Sequence, residues 1–549
     1  MVNEALQFVR SAAWALSRRV GNRALSVMSW SVFALLDVTD QLLCPVFAFL
    51  DSFLDSEKRV CYCDRSHNDI HHSCGDQAAD FNSKESLSQL LQLSDEGDFN
   101  SGGGNFVVDS WIRSSDTLYA RVRRFGRTRF HLLALHRTLS VKNNIDSTEP
   151  IIPYKGIISE QIQNSSVFDE KLLLPVAGVE GGRNLSNRGV IGPTETSHFG
   201  TLTKQSFKGV ICRQRIGKQV VRWSDCGCQR CTAWQSEKDQ LLYVHVEDKD
   251  FLRSISNEPN AANIATAENN IIFLHGFLSS SSFWADTVLP ALPDSVRSSH
   301  RFFAVDLLGF GRSPKPSNSM YTMAEHIDMI RRSVLEPYGI QKFHLVAHSM
   351  GCTVALALAA NYPSALNSIT VIAPPYVPSL AGEPSSTDVM EQLAALRVWP
   401  LISFASSVMS WYEHIGRVVC FVVCKHHRFW EPLLFFVHSK LPGTRAPSSC
   451  VTDFTRHTHH SAWHVFHNTI CNGGQAADHC LEVLKKAGKR VRVIHGTRDA
   501  VVPFKSSVSL SERHPNVRLT TVTSADHSTV VFGREAQLAE ELAEEILHV

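Results

Sequence analysis

Phe343-His-Leu-Val-Ala-His-Ser349-Met-Gly-Cys-Thr-Val-Ala-Leu-Ala-Leu358 is the stretch whose reading decides the fold. A short apolar run suited to a buried strand stops at Ala347-His348-Ser349-Met350-Gly351. The residues from Val354 to Ala360 then favour a helix. Small residues two before and two after Ser349 are what a tight strand-to-helix turn demands, because the serine backbone is forced into a strained conformation where larger neighbours would collide. The usual pattern of such an elbow is Gly-x-Ser-x-Gly, and here Ala347 takes the first glycine's place at the expense of one methyl. Ser349 is therefore a nucleophile candidate.

Working outward, Leu241 to Val246 alternates like a strand, and Ile271-Ile-Phe-Leu274 is a buried strand leading into His275-Gly276-Phe277. Arg301 to Val305 runs into Asp306-Leu-Leu-Gly-Phe-Gly-Arg-Ser313, and a helical stretch follows from Met323 to Tyr338. Beyond the elbow come strands at Ser368 to Ile372, Val491 to Ile494 and Val517 to Val522, with a last helix from Arg534 to Leu547. Strands alternating with helices imply a mostly parallel sheet covered on both faces, with the chemistry in loops at the strand C-termini.

A serine hydroxyl needs a base to take its proton, and the base needs an acid to orient it. Both are offered at strand ends: Asp499 in His495-Gly-Thr-Arg-Asp499, and His527 in Ser524-Ala-Asp526-His527. The order Ser349, Asp499, His527 is the one in which sheets of this kind present nucleophile, acid and base. Asp526 competes for the acid role, but side chains of adjacent residues rarely face one another. Two donors are expected for a tetrahedral oxyanion, the backbone N–H groups of Met350 and of Phe277. Asp306 is expected to support the neighbouring loops.

The chain has 549 residues, more than one ordinary domain, and 44% of them are hydrophobic. Its 54 Lys and Arg balance 53 Asp and Glu, so no electrostatic footprint for nucleic acid exists. Residues 1–55 form an apolar N-terminal segment in which Arg10, Arg18, Arg19 and Arg23 precede the uncharged run from Ala24 to Leu36. Its length suits a signal sequence or anchor, while Asp37 and Asp40 interrupt it before it would span a bilayer. An amphipathic helix lying on a membrane or packed on the rest of the chain is the other reading. Cys44 is a candidate acylation site in the secretory reading, though a buried thiol is favoured over it.

Periodicity fades over residues 56–235, and disorder is expected over about 136–215, with short helices near Tyr119 to Arg137. Asn164-Ser-Ser and Asn184-Leu-Ser are acceptor sequons only if the chain is secreted. Two cysteine groups lie here: Cys61 and Cys63 with His71, His72 and Cys74, then Cys226, Cys228 and Cys231. Zinc, disulfides and free thiols all remain open for them.

The hydrolytic core is expected over 236–375 and 482–549, interrupted by a helical cap over 376–481 loaded with aromatic residues, among them Trp399, Trp411, Tyr412, Trp430 and Trp463. Such a cap offers a greasy acyl pocket, for which His275, Trp411, Tyr412 and Trp463 are the candidate lining residues. His457, His459, His460, His464 and His467 cluster in it; His460, His464 and His467 recur at helical spacing, yet packing or substrate contact is favoured over metal binding. No cofactor or catalytic metal is expected.

From about Trp223 onward the chain resembles the plant BODYGUARD family of α/β-hydrolases. The likeness rests on Arg222-Trp-Ser-Asp-Cys, Phe273-Leu-His-Gly-Phe-Leu-Ser-Ser-Ser-Ser-Phe-Trp284, Ala304-Val-Asp-Leu-Leu-Gly309 and Ser313-Pro-Lys-Pro316. It continues through His344-Leu-Val-Ala-His-Ser-Met-Gly351, Ala373-Pro-Pro-Tyr376, Ser410-Trp-Tyr-Glu-His414, His457-Thr-His459, Trp463-His464 and His467-Asn468. Leu42-Leu-Cys44 and Cys61-Tyr-Cys63 also resemble the family's start, whereas the stretch from about 138 to 215 does not fit it.

The resemblance implies an α/β-hydrolase fold with the cap inserted after the sixth strand, and a serine esterase, a lysophospholipase or cutin-related acyl hydrolase or transferase. It further implies a lipid or acyl-ester substrate and a role in building the plant cuticle. The implied location is the secretory pathway, with membrane or cell-wall association. The alternative is a non-catalytic ligand receptor or scaffold on the same fold.

Overall fold

In the computed structural model, three consecutive strands are buried at every position: β2 (Asn270–Leu274), β3 (Arg301–Val305) and β4 (Phe343–His348). A sheet covered on both faces requires such continuous apolar runs. The structure describes residues 28–29, 31–55, 221–236, 240–248, 268–377, 386–396, 398, 401–440 and 447–548. The Cys61/Cys63/Cys74 group with His71 and His72, both sequons, the region 136–215 and Trp399 lie outside the described residues.

With β1 (Val244–Glu247), β5 (Leu366–Ile372), β6 (Val491–Gly496) and β7 (Val517–Val522), the strands form a seven-stranded sheet of order β1-β3-β2-β4-β5-β6-β7. β1 runs antiparallel to β3, and every other neighbouring pair is parallel. β4 lies mid-sheet, so its C-terminal end opens where loops from both sides converge. The helical insertion leaves the sheet after β5, one strand earlier in the count of described strands than expected.

The helices begin with α1 (Ser31–Leu54) and the single turn α2 (Gln229–Thr232); two further single turns at Ser282–Ala285 and Asp294–Arg297 precede α3 (Met323–Ile330). α4 (Met350–Asn361) follows the elbow. The insertion contains α5 (Ser386–Leu393), α6 (Leu401–Trp411), α7 (Glu413–Val423), α8 (His427–Lys440), α9 (Ser449–Thr455) and α10 (His459–His464). α11 (Asn472–Lys486) returns to the sheet, and α12 (Phe504–Arg513) and α13 (Glu535–Leu547) complete the fold.

Sheet pleating divides the core. Ile272, Leu274, Phe303, Val305, Leu345 and Ala347 pack with α3, α4 and α11 on one face. Ile271, Phe273, Phe302, Ala304 and Val346 meet Trp284, Val288 and α13 on the other. α13 buries Leu538, Ala539, Leu542, Ala543 and Ile546, a helical-period stripe. α3 begins with a reciprocal cap in which Thr322 and Glu325 satisfy one another's backbone N–H groups. It passes at Arg331–Leu335 into a π-helical turn, so the helical run from Met323 is not regular throughout.

Asp40, one of the two carboxylates that interrupt the apolar N-terminal run in sequence, has a structural task. Asp40 Oδ1 accepts the backbone N–H groups of His414 (2.9 Å) and Ile415 (3.1 Å) at the start of α7, and its Oδ2 pairs with His414 Nδ1 at 3.1 Å. A carboxylate at a helix N-terminus satisfies orphan donors and meets the positive end of the dipole. Asp51 forms a two-pronged pair with Arg417 (2.7 and 2.5 Å) and accepts Trp223 Nε1–H at 2.7 Å. The polar groups of α1 thus turn inward onto α7. Its opposite side carries Leu35, Val38, Leu42, Val46, Phe49 and Phe53, all at least half exposed.

Asp40→Ala strips the α7 terminus of three contacts and is expected to destabilise the fold by about 2 kcal/mol. Asp40→Asn, which keeps an acceptor oxygen, costs less. Denaturant unfolding of both variants beside wild type checks the order, and equal stability of all three would refute this account of α1.

Candidate active site

The turn between β4 and α4 holds Ser349 at φ 52° and ψ −122°. A non-glycine residue at positive φ carries roughly 1–3 kcal/mol of strain and persists only where its surroundings dictate it. Here the Ser349 N–H donates to Ile372 O at 2.8 Å, tying the turn to the end of β5. Close packing fixes the other side: a Cβ on Gly351 would lie 2.6 Å from His275 O and 2.7 Å from Leu274 O. Gly351 therefore has to be glycine, whereas Ala347 is wholly buried with its methyl accommodated.

Three side chains distant in sequence meet above this turn. The Ser349 hydroxyl lies 3.0 Å from His527 Nε2, and His527 Nδ1 lies 2.7 Å from Asp499 Oδ2. These partners set the tautomer: Nδ1–H donates to the carboxylate, leaving Nε2 to accept from the serine. Asp499 Oδ1 accepts the N–H groups of Val501 and Val502, each at 2.8 Å. Burial alone would raise this carboxyl's pKa, but hydrogen bonds from His495 and His527 outweigh it and hold the pKa well below the ordinary carboxylate range. Asp499 consequently stays ionised wherever the fold survives.

Two histidines complete the arrangement. His495 Nε2 reaches Asp499 Oδ2 at 3.2 Å while its Nδ1 meets Ser507 Oγ at 2.6 Å. His348 stacks on Phe283 and places Nε2 3.0 Å from His527 O, with burial and the nearby His527 driving its pKa down to about 3. Neutral His348 thus donates to the carbonyl of the loop that carries His527. Sequence reasoning passed over both; the four-residue interval from His495 to Asp499, closed here by a turn, was the available signal for one.

Asp526 turns away to organise its own loop. Its Oδ1 accepts the N–H groups of Ser528 (2.9 Å) and Thr529 (2.8 Å) and the Thr529 hydroxyl (2.9 Å). A Cβ on Gly496 would fall 2.4 Å from Ala525 O, so the loop bearing His527 closes directly over the end of β6.

Gly276 borders the serine, since a Cβ there would lie 3.2 Å from Ser349 Cβ, and Phe277 is the next residue of that loop. Met350 is the first residue of α4, so its N–H belongs to the electropositive helix terminus. His275 does not line a pocket as expected. It is fully buried, donates from Nδ1 to Gly276 O (2.7 Å) and accepts Leu307 N–H at Nε2 (2.9 Å), fastening this loop to the one after β3. Asp306 continues the fastening, accepting the N–H groups of Ser281 (2.6 Å) and Arg312 (2.7 Å).

The aromatic candidates have other partners. Trp411 Nε1–H donates to Ala394 O at 2.7 Å, the Tyr412 hydroxyl donates to Phe33 O of α1 at 3.2 Å, and Trp463 packs on His467 with ring centres 4.3 Å apart. Of the cap histidines, His460 Nε2–H donates to Ser319 O at 2.8 Å, and His467 meets Trp463 O and Ser410 O. His457 lies instead 3.6 Å from each of the Cys420 and Cys424 sulfurs.

The sheet order, the strained serine turn and the loops at the strand ends define an α/β hydrolase of the esterase and lipase type. A family model described as alpha/beta hydrolase fold matches residues 269–400. The chain is 33% identical to probable lysophospholipase BODYGUARD 4 of Arabidopsis thaliana, over 96% of this chain and 97% of that protein. It is 35% identical to probable lysophospholipase BODYGUARD 3 of the same plant, over 94% and 95% respectively. Monoacylglycerol lipase ABHD6 of Mus musculus is 25% identical over 53% of this chain and 78% of its own length. The chain belongs to the BODYGUARD family.

The contact between α9 and the loop after β2 supplies a titration test. Asp453 of α9 accepts the Ser280 hydroxyl at 2.7 Å, and burial drives its pKa from 3.8 up to about 7 despite that bond. Between those values the folded chain holds a proton that the unfolded chain has released. Stability conferred by this group is therefore full below pH 3.8 and declines as pH rises towards about 7. Asp453→Asn removes this component, so the difference in thermal midpoint between variant and wild type should grow with pH across that window. A constant difference would show that Asp453 titrates normally.

Proposed function

We propose that this protein is a serine hydrolase that cleaves long-chain acyl esters through an acyl-enzyme. The observation that carries the reading is the continuous chain from Ser349 Oγ to His527 Nε2 and from His527 Nδ1 to Asp499 Oδ2, at 3.0 and 2.7 Å. As Ser349 Oγ attacks the acyl carbonyl carbon, its proton passes to His527 Nε2, and Asp499 stabilises the imidazolium without taking a proton. The N–H groups of Met350 and Phe277 receive the negative charge on the carbonyl oxygen. Collapse of the tetrahedral intermediate breaks the ester C–O bond, and His527 returns the proton to the leaving alcohol. Water, deprotonated by His527, then releases the fatty acid and regenerates Ser349. A second hydroxyl compound entering in place of water would make the same centre a transferase.

The relatives support the substrate class. Their names specify a lysophospholipid and a monoacylglycerol, both single-chain acyl esters of glycerol. The exposed apolar stripe of α1, with Phe429 and Phe436 exposed on α8, suits attachment to a lipid surface from which such molecules are drawn. Family membership supports a role in assembling the cutin and wax layer of plant epidermis, with entry to the secretory pathway through the N-terminal segment.

Ser349→Ala is expected to abolish labelling by a fluorophosphonate probe and to lower turnover of a lysophosphatidylcholine by about a thousandfold or more. His527→Ala should match it, while Asp499→Asn should lose roughly ten-thousandfold in kcat. Labelling that persists in folded Ser349→Ala would remove the serine assignment.

Surface attachment is tested separately by flotation with phosphatidylcholine vesicles. Replacing Leu42 and Phe49 by Glu should leave the protein unbound while the esterase rate on a short, soluble ester is preserved. Undiminished flotation would rule out the α1 stripe as the lipid-facing surface.

A further inference from the structure

Away from Ser349, a group of soft ligands converges between the segment preceding β1 and the helical insertion. We propose that Cys226, Cys228, Cys231 and His427 bind one zinc ion in a closed tetrahedral site. Their ligand atoms all lie within 4.8 Å of one another, and the sulfurs of Cys228 and Cys231 are each 3.5 Å from His427 Nε2. Zinc–sulfur bonds of about 2.3 Å and zinc–nitrogen bonds of about 2.0 to 2.1 Å, set at the tetrahedral angle, separate sulfur from nitrogen by about 3.6 Å. The observed spacing is therefore that of ligands around a common centre.

The local backbone produces this convergence. Cys226 and Cys228 flank Gly227, and the single helical turn that follows has the N–H groups of Cys231 and Thr232 donating to Cys228 O at 2.9 and 3.1 Å. That turn brings Cys231 back over Cys228. None of the three is in a disulfide.

The second observation lies behind the imidazole. His427 is 2% exposed, and its Nδ1 lies 3.1 Å from Glu431 Oε1, one turn along α8. Glu431 is itself held by Arg456 through Nε (2.7 Å) and Nη2 (3.0 Å), and its Oε1 accepts the Thr455 hydroxyl at 3.0 Å. A carboxylate receiving Nδ1–H fixes the tautomer in which the Nε2 lone pair points at the thiols, the usual support of a zinc-bound histidine. A histidine packed merely for bulk has no need of a carboxylate held by two further residues.

Four protein ligands leave no open coordination position, so the ion's task is to fasten. It joins the segment before β1 to α8, two parts of the chain about two hundred residues apart in sequence (|i−j| = 199 for Cys228 and His427). The neighbouring group of Cys420, Cys424 and His457 brings together three ligands rather than four, and the variants below distinguish it.

The test uses the untagged full-length protein, purified without chelator. Elemental analysis should find zinc, and Cys228→Ser/Cys231→Ser should contain one equivalent less per chain. His427→Ala should lose the same equivalent and His427→Cys should retain it. Glu431→Gln should keep the site but weaken it by about 10- to 100-fold in competition with a chromogenic chelator. Cobalt exchanged into wild type should show the intense visible bands of a tetrahedral ion with thiolate charge transfer, a readout independent of whether any variant folds. Zinc-free wild type overturns the proposal. So does zinc content unchanged by the Cys228→Ser/Cys231→Ser substitution, or recovery of Cys226, Cys228 or Cys231 in a disulfide.

Discussion

The meeting of Ser349, His527 and Asp499 depends on one backbone conformation, the positive φ of Ser349. The strain is local, but what sustains it is spread over the sheet: the Ser349 N–H bond to Ile372, the close approach of Gly351 to the backbone of Leu274 and His275, and a helix buried at nearly every position from Met350 to Ala360. Release of the turn would need β4, β5 and α4 to separate, at a cost set by buried apolar area rather than by the serine. The hydroxyl is consequently presented at a fixed point, and the loops after β2, β6 and β7 need only reach that point. Gly276 and Gly496 make those approaches close enough.

Whatever in the fold follows from local chemistry was legible in the chain. β3 and β7 have the bounds their apolar runs predict, and the Ser349 elbow announces itself by its small flanking residues. Asp499 and His527 were legible because each lies in the loop just after a strand, and strands of a parallel sheet end at one rim. Contacts between residues hundreds of positions apart were another matter. Nothing near His495 says that its ring will steady Asp499, and nothing near Cys226 names His427 as a companion. His275 shows the limit from the opposite side: its place beside a strand end suggested contact with substrate, but both ring nitrogens are consumed in holding two loops together.

The N-terminal segment illustrates how period changes the meaning of charge. Read linearly, Asp37 and Asp40 break an apolar run. Wrapped at 3.6 residues per turn, Asp40 and Asp51 fall on the side facing α7, where Asp40 caps a helix and Asp51 pairs with Arg417. The aromatic rings of Phe47 and Trp223, stacked 6.1 Å apart, both lie beside that guanidinium, with centroids 4.5 and 5.5 Å from it. A buried ion pair of this kind contributes little net stability against a hydrophobic substitute, yet leaving either charge alone would be costly. Its effect is to permit one arrangement of α1, the Trp223 segment and α7, and to penalise alternatives in which a charge is stranded.

That specificity matters because the insertion is poorly served by a core of its own. Leu401, Phe429, Phe436 and Phe454 are all more than half exposed, while buried positions of α7 include Glu413, His414 and Arg417. Helices with so much of their apolar surface outside cannot be ordered by hydrophobic burial alone, since burial is what they lack. Directional contacts have to set their positions, and the same polar groups join them to α1 and to the segment before β1. The sheet fixes the serine by packing; the insertion is fixed by pairing. A chain built in these two ways can hold the groups above the serine turn rigid while leaving much of the apolar surface of its inserted helices exposed.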